Sequence, residues 1–171
     1  MPDATGLELI RQELGDSVLD TDFFRDRATL VVDPPSIRAV LAHLRERGYS
    51  ALTSLHGVDY YPQEPRLGVV YELLDMRRVD RISVKLRLGS DAPEVDSVTP
   101  DGEQGAGWPT ADFQEREVYD MFGVVFRGHP DLRRILMPED YEGFPQRRDF
   151  PTGGEPVLFT QDDAHGEDYT Q

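Results

Sequence analysis

Residues 80–88, DRISVKLRL, alternate without a break: Ile82, Val84, Leu86 and Leu88 are apolar, while Arg81, Ser83, Lys85 and Arg87 between them are polar. Successive side chains of an extended chain point to opposite faces, so this period of two predicts a strand with one face buried and the other wet. Just upstream, LGVVYELLDM (67–76) and YSALTSLHGVDYY (49–61) are rich in β-branched and aromatic residues and read as further strands. RATLVVD (27–33) adds another.

Helices flank these strands. Leu7, Ile10 and Leu14 recur at helical spacing and stop before Gly15, which predicts a short first helix. Ser36, after Pro34 and Pro35, is placed to cap a second helix whose stripe is Ile37, Val40, Leu41 and Leu44, closed by Gly48. Beyond a short strand at EVDSVT (94–99) and a glycine-rich loop PDGEQGAG (100–107), the segment WPTADFQEREVYDMFG (108–123) reads as a third helix. Its first turn would hold Pro109 and its stop Gly123. Strands flanked by segregated helices give an α+β fold, a two-layer sandwich of a largely antiparallel sheet with helices on one face. Residues 1–136 form this domain, and residues 137–171 form an extended C-terminal arm.

The arm carries four prolines, four glycines and nine acidic residues, with few aliphatics. It also holds Tyr141, Phe144, Phe150, Phe159 and Tyr169, which a solvated tail would usually lack. Five aromatic side chains do not supply the apolar area needed to order the arm, because each residue fixed loses backbone entropy. Ordering it therefore calls for apolar surface from elsewhere, and the arm reads as partner-binding.

The chain has 33 acidic and 18 basic residues, a net charge of -15, which repels nucleic-acid phosphates and anionic membranes. No cysteine is present, which excludes disulfides, thiolate zinc sites, a cysteine nucleophile and cysteine-ligated iron–sulfur clusters within these residues. The N-terminal MPDATGLELIRQELG has no basic region followed by an apolar one, and no window approaches the ~18 apolar residues of a spanning helix. The chain is expected to be soluble and intracellular, with no direct membrane span.

EREVYDMFGVVFRGHPDLRRILMPEDYEGFPQRRDFP (115–151) packs charge, aromatic rings, glycine and proline together. The spacing does not support a metal site, and although His129 with a nearby carboxylate would suit general acid–base work, a lone histidine in a loop more often satisfies backbone groups. His43, His56, His129 and His165 form no ligand pair, no calcium loop is present, and G-x-S-x-G and both phosphate-binding glycine patterns are missing. No catalytic, cofactor-binding or metal residue is assigned. His129-Pro130-Asp131 also resembles the tripeptide of J-domain co-chaperones, but those are all-helical hairpins with a basic preceding helix, whereas the helix here is acidic. The stretch reads as an interface. Gly128 permits a tight turn, Pro130 biases His129 toward extended backbone, and Arg127, Arg133 and Arg134 form a positive cluster suited to bidentate carboxylate pairing. Those carboxylates would lie on the preceding helix, on a partner, or on both.

At this stretch the sequence resembles a known family, the C-type subunits of the proton-pumping NADH:quinone oxidoreductase, respiratory complex I, in its bacterial form. The likeness rests on Glu115-Arg116-Glu117, Tyr119 to Gly123, Gly128 to Arg134 and Arg147-Arg148-Asp149, with Gly57 to Tyr60 consistent upstream. Gln146 departs from it, standing where the family commonly has leucine, so a hydrogen bond is expected to replace an apolar contact. The resemblance implies a structural core subunit of the hydrophilic arm, on the cytoplasmic side of the cell membrane, docked on the D-type subunit and neighbouring the B-type one. It implies no redox centre here, since FMN and the iron–sulfur clusters belong to other subunits. A related photosynthetic or hydrogenase-linked complex would use an equivalent subunit. The interface is assigned to Glu115, Arg116, Glu117, Asp120, Gly128, His129, Asp131, Arg133, Arg134, Tyr141, Phe144, Arg147, Arg148 and Asp149.

Overall fold

The computed structural model describes residues 4–100 and 107–151. Strands β1 (Val18–Phe24), β2 (Arg27–Val32), β3 (Ala51–Asp59), β4 (Leu67–Asp75) and β5 (Asp80–Leu88) form one sheet in the order β1-β2-β5-β4-β3. Every neighbouring pair is antiparallel except β2 and β5. Helix α1 (Ala4–Leu14) precedes the sheet, and α2 (Ile37–Glu46) links β2 to β3. Helix α3 (Ala111–Phe122) lies between β6 (Glu94–Asp96) and β7 (Val125–Arg127), which pair in parallel as a separate small sheet.

Register explains why one face is the core. Ile82, Val84, Leu86 and Leu88 sit opposite Leu73, Tyr71, Val69 and Leu67, so apolar meets apolar across β4 and β5. Leu7 and Ile10 of α1, the predicted stripe of α2, and Ala111, Val118, Met121 and Phe122 of α3 all join that one buried cluster. The two-layer α+β sandwich expected from alternation is thus the observed fold. The opposite face is less wet than alternation predicts. Arg81 is exposed, but Ser83 and Val70 are buried, and Gly68 is covered by the Tyr60 ring.

Several local expectations are corrected. Strand β1 has no apolar alternation because it is an edge strand with mostly exposed side chains. Its turn into β2 places Arg25 and Asp26 at φ of 51° and 60°, the two-residue hairpin geometry, without the usual Asn-Gly signal. Strand β7 spans three residues, too few for a period. Ser36 stands at the N-cap of α2 but makes no side-chain cap bond, since Pro34–Ser36 form a 3-10 turn that leads directly into the helix. Helix α3 begins at Ala111 rather than taking Pro109 into its first turn. Trp108 Nε1 donates to the Ser50 carbonyl at 3.0 Å and Thr110 Oγ1 to that of Leu52 at 3.2 Å, fastening residues 108–110 to the β3 side instead. The all-helical co-chaperone reading is overturned by the sheet, and His129-Pro130-Asp131 follows β7 rather than joining two helices. Gly102 and Gly105 of the glycine-rich loop, and Phe159, His165 and Tyr169, lie outside the described residues.

One glycine sets how closely α3 approaches the sheet. A Cβ on Gly57 in β3 would stand 2.4 Å from Cδ2 of Phe122, so the Phe122 ring lies directly on β3 backbone. Gly57→Ala is expected to destabilise the isolated chain by about 1–3 kcal/mol in urea unfolding, the cost of overpacking a filled core. Adding Phe122→Leu should recover part of that loss, and equal losses in the single and double variants would refute the contact as the cause.

A candidate interaction surface built on buried carboxylates

Helix α3 carries both arginine and carboxylate on the face that meets the segment after β7. Arg116 and Asp120 are four residues apart and therefore share that face. The Asp120 carboxylate is fully buried. Its Oδ2 accepts the amides of Ile135 (3.0 Å), Leu136 (2.7 Å) and Met137 (2.8 Å), while Oδ1 accepts Arg134 Nη1 at 2.6 Å. Arg116 donates to the carbonyls of Arg133 and Arg134. A chain segment with no regular structure of its own thus has its backbone groups satisfied by one helix. Burial alone would raise the Asp120 carboxyl, but the three amides and Arg134 together hold it below the usual carboxylate range.

The chain then returns to the sheet. Gly123 ends α3 at φ 76°, and a Cβ there would stand 2.5 Å from the Phe144 ring, so glycine serves both the left-handed turn and the ring seat. Arg147 Nε donates to the Phe122 carbonyl at 2.7 Å and lies over Phe144. Tyr141 stacks against Phe150 at 6.3 Å. Arg66, at the start of β4, grips two carboxylates at once: Asp59 through Nε (2.9 Å) and Nη2 (2.7 Å), and Asp149 through Nη1 (2.7 Å) and Nη2 (2.5 Å). The Arg148 amide also donates to Asp59 at 2.8 Å. The forked bonds from Arg66 overcome burial and hold Asp59 far below its ordinary pKa, helped by the Arg148 and Tyr61 amides. Residues 137–150 therefore dock on this domain mainly through polar contacts, which an estimate from aromatic area alone leaves out.

A second cluster lies across α3. Glu115 is fully buried and accepts Ser97 Oγ (2.5 Å), the Val98 amide (2.7 Å) and Thr99 Oγ1 (2.9 Å). Burial pushes its carboxyl up, partly opposed by those donors and by His129. His129 Nδ1 accepts the Asp131 amide at 3.0 Å, which leaves Nε2–H to donate to the Asp112 carbonyl at 3.3 Å. Glu115 and His129 are thus fasteners, 3.8 Å apart at closest, tying the loop after β6 and the turn after β7 to the helix.

The sequence-predicted residues fall into three groups. Asp120, Arg134, Arg116, Tyr141, Phe144, Arg147, Arg148 and Asp149 converge on the arm contact, and Glu115 and His129 form the second cluster. Glu117, Gly128, Asp131 and Arg133 stand at the surface, the last two paired with each other at 2.9 Å. The expected cluster of Arg127, Arg133 and Arg134 is dispersed, each meeting its own carboxylate: Asp96, Asp131 and Asp120. The Gln146 side chain is exposed, and its backbone amide, not its side chain, bonds the Met121 carbonyl. Sequence reading missed Arg66, Ser97 and Thr99. Asp59 was visible only inside the Gly57–Tyr60 run, and nothing local ties Arg66 to Asp149, 83 residues on.

Among the described residues no group of three or more His, Cys, Asp or Glu could hold a metal, and no helix is long and apolar enough to cross a membrane. The arrangement is that of an α+β domain whose buried carboxylates are committed to holding its own irregular segments. Residues 30–156 match the family described as respiratory-chain NADH dehydrogenase, 30 Kd subunit, and the chain belongs to that family. The C-type NADH-quinone oxidoreductase subunit of Roseiflexus sp. (strain RS-1) is 43% identical over 163 residues, spanning 94% of this chain and 90% of its own. Its counterpart in Citrifermentans bemidjiense is 40% identical, covering 85% of this chain and 87% of its own. In solved structures, the trypsin-resistant fragment (1-134) of Nqo5 superposes with a TM-score of 0.64 at 30% identity, covering 77% of this chain and 100% of the fragment. A chain of an archaeal respiratory membrane complex, the membrane-bound sulfane sulfur reductase, superposes at 0.70 with 26% identity over 86% of both chains. The protein is thus one component of an oxidoreductase assembly of the complex I type, and other subunits of that assembly are its partners.

Asp120→Asn is expected to cost about 3–5 kcal/mol, the range for stranding the partner of a buried ion pair. Amide exchange at Ile135–Met137 should rise more than at β4. Acid provides a second check. Asp59 and Asp120 have depressed folded pKa values, so the stability they contribute is present above the unfolded carboxylate range of about 4 and is lost as pH falls through their folded values. Glu115 acts with the opposite sign, its contribution being lost as pH rises through its raised folded value. Thermal melts between about pH 5 and 2 should therefore fall more steeply for the wild type than for Asp120→Asn, and equal slopes would count against the assignment.

Proposed function

We propose that this chain is a structural core subunit in the hydrophilic arm of a proton-translocating NADH:quinone oxidoreductase. It supports electron transfer to quinone by docking the quinone-site partner, the D-type subunit, with the B-type subunit as a further neighbour. It contains no catalytic centre and binds no cofactor, FMN and the iron–sulfur clusters being held by other subunits. Its place is the cytoplasmic side of the cell membrane.

The observation that supports this reading is the fate of the buried acids. Glu115, Asp120 and Asp59 are each filled by donors from their own chain, so none of these three carboxylates is poised toward a substrate. The surface they shape runs from α3 through residues 132–150 and presents Glu117, Leu136 and Arg148 outward.

Tagging the chain in its host and solubilising membranes gently should recover flavin, iron–sulfur clusters and NADH:quinone activity with it. The chain purified alone should carry none of these groups, and stoichiometric iron or flavin on it would refute the reading. Glu117→Lys offers a finer check, since its side chain is exposed and makes no ion pair among the described residues. It should leave the melting of the isolated chain unchanged and lower the amount of assembled complex, with turnover per complex preserved. Normal assembly with a large fall in turnover would instead assign that position to the chemistry.

A further inference from the structure

The end of the sheet remote from Asp59 and Asp149 is made by two turns. In the first, residues 76–79 join β4 to β5, closed by the pairing of Asp75 with Asp80. The second joins β1 to β2 at Arg25 and Asp26, and the parallel register of Ala28 with Ile82 sets it beside the start of β5. Clefts of about 530 Å³ and 350 Å³ flank the first turn, one toward the end of α2 and one toward Arg25 and Arg27.

Three features of this end differ from the rest of the molecule. Phe24, Met76 and Val79 are 63%, 67% and 76% exposed, side chains that a monomer would gain by burying. Around them stand Arg27, Arg77 and Arg81, exposed and without an ion pair or side-chain hydrogen bond among the described residues, and Arg25 lies over the Phe24 ring at 5.0 Å. The nearby acids are largely engaged. Asp75 accepts Arg78 Nε and the amides of Arg77 and Arg78, and Asp80 accepts the Tyr49 hydroxyl, leaving Asp26 and, on the rim of the cleft toward α2, Glu46 as exposed acids beside the arginines. A chain of net charge -15 thus displays a surplus of free arginine at one end.

The first turn is also rigid and strained. Val79 holds φ at 53°, a left-handed conformation that a β-branched residue rarely adopts, and Asp75 braces the turn from within. A simple connection would place glycine there. Valine instead keeps an apolar side chain on the outside of a turn whose shape is fixed before any contact, which lowers the entropy cost of binding.

We propose that these two turns form a docking surface for an acidic segment of another subunit of the complex, which pairs with the free arginines and packs on the exposed Phe24, Met76 and Val79. Charge complementarity selects that occupant. Arginine, methionine and aromatic side chains are the types enriched in protein interfaces, and free guanidinium groups pair carboxylates bidentately. An anionic membrane is the alternative ligand for arginine, but the overall charge of -15 opposes it. This inference rests on the proposed place of the chain in the assembly.

Photo-cross-linking in the purified complex tests it, with Met76→benzoylphenylalanine and Val79→benzoylphenylalanine as probes and Leu19→benzoylphenylalanine, on β1, as the control. The first two should cross-link to one segment of another subunit, identified by mass spectrometry, in which Asp and Glu outnumber Lys and Arg. Combining either probe with Arg77→Glu and Arg81→Glu should lower the yield roughly tenfold, while the isolated variant melts like the wild type. Cross-links to lipid, to a segment without acidic excess, or at unchanged yield in the charge-reversed variant would overturn the proposal. A chain that co-purifies with the complex yet gives no cross-link overturns this proposal alone. One that fails to co-purify overturns the assignment to the complex as well.

Discussion

The structure depends on a carboxylate that receives more hydrogen bonds than any salt bridge needs. Asp120 takes three consecutive backbone amides and a guanidinium inside the protein, and so replaces for residues 134–137 the partners a neighbouring strand or helix would supply. An ionised group without those donors would be expelled from the interior or neutralised. The loop fixes the carboxylate's charge, and the carboxylate fixes the loop's path. From there the chain reaches Phe144 over Gly123, then Asp149 on Arg66, and the arm is laid against α3 and the start of β4.

Glu115 and Asp120 show how one helix holds two irregular segments on different sides. Spacing by five residues turns them well apart around α3, so one faces the loop after β6 and the other the loop after β7. The cost of burying both is offset because every oxygen has a donor. A catalytic carboxylate would need an open position for substrate, and none is kept. A stretch dense in His, Asp, Glu and Arg thus serves here to hold the domain's own irregular segments in place.

The two ends of the sheet differ in what they offer. At the Asp59 end, arginine and carboxylate are mutually satisfied and the surface is closed by the chain itself. At the Val79 end, arginines stand free beside exposed Met76 and Phe24 on a braced turn. An extended complex that grips one of its components at both ends would hold its orientation better than one gripping a single patch, because each contact limits rotation about the other.

Alternation in residues 80–88 and the helical stripe of residues 37–44 determined the sheet, its buried face and the helix that covers it, because side-chain period is a local property of the backbone. The charged run from Glu115 to Asp149 was likewise legible as a unit, since its residues lie close in the chain. The edge strand β1 was not legible, because exposed side chains carry no hydrophobic period. Nor was the Asp59–Arg66–Asp149 cluster, whose Asp149 lies 83 residues beyond Arg66 and meets it only once β3, β4 and the arm are folded together. The same is true of the direction of each arginine. Sequence placed Arg127, Arg133 and Arg134 together, and only the tertiary structure turned each to a different carboxylate, because pairing is decided by three-dimensional distance and by which groups the folded core keeps from water.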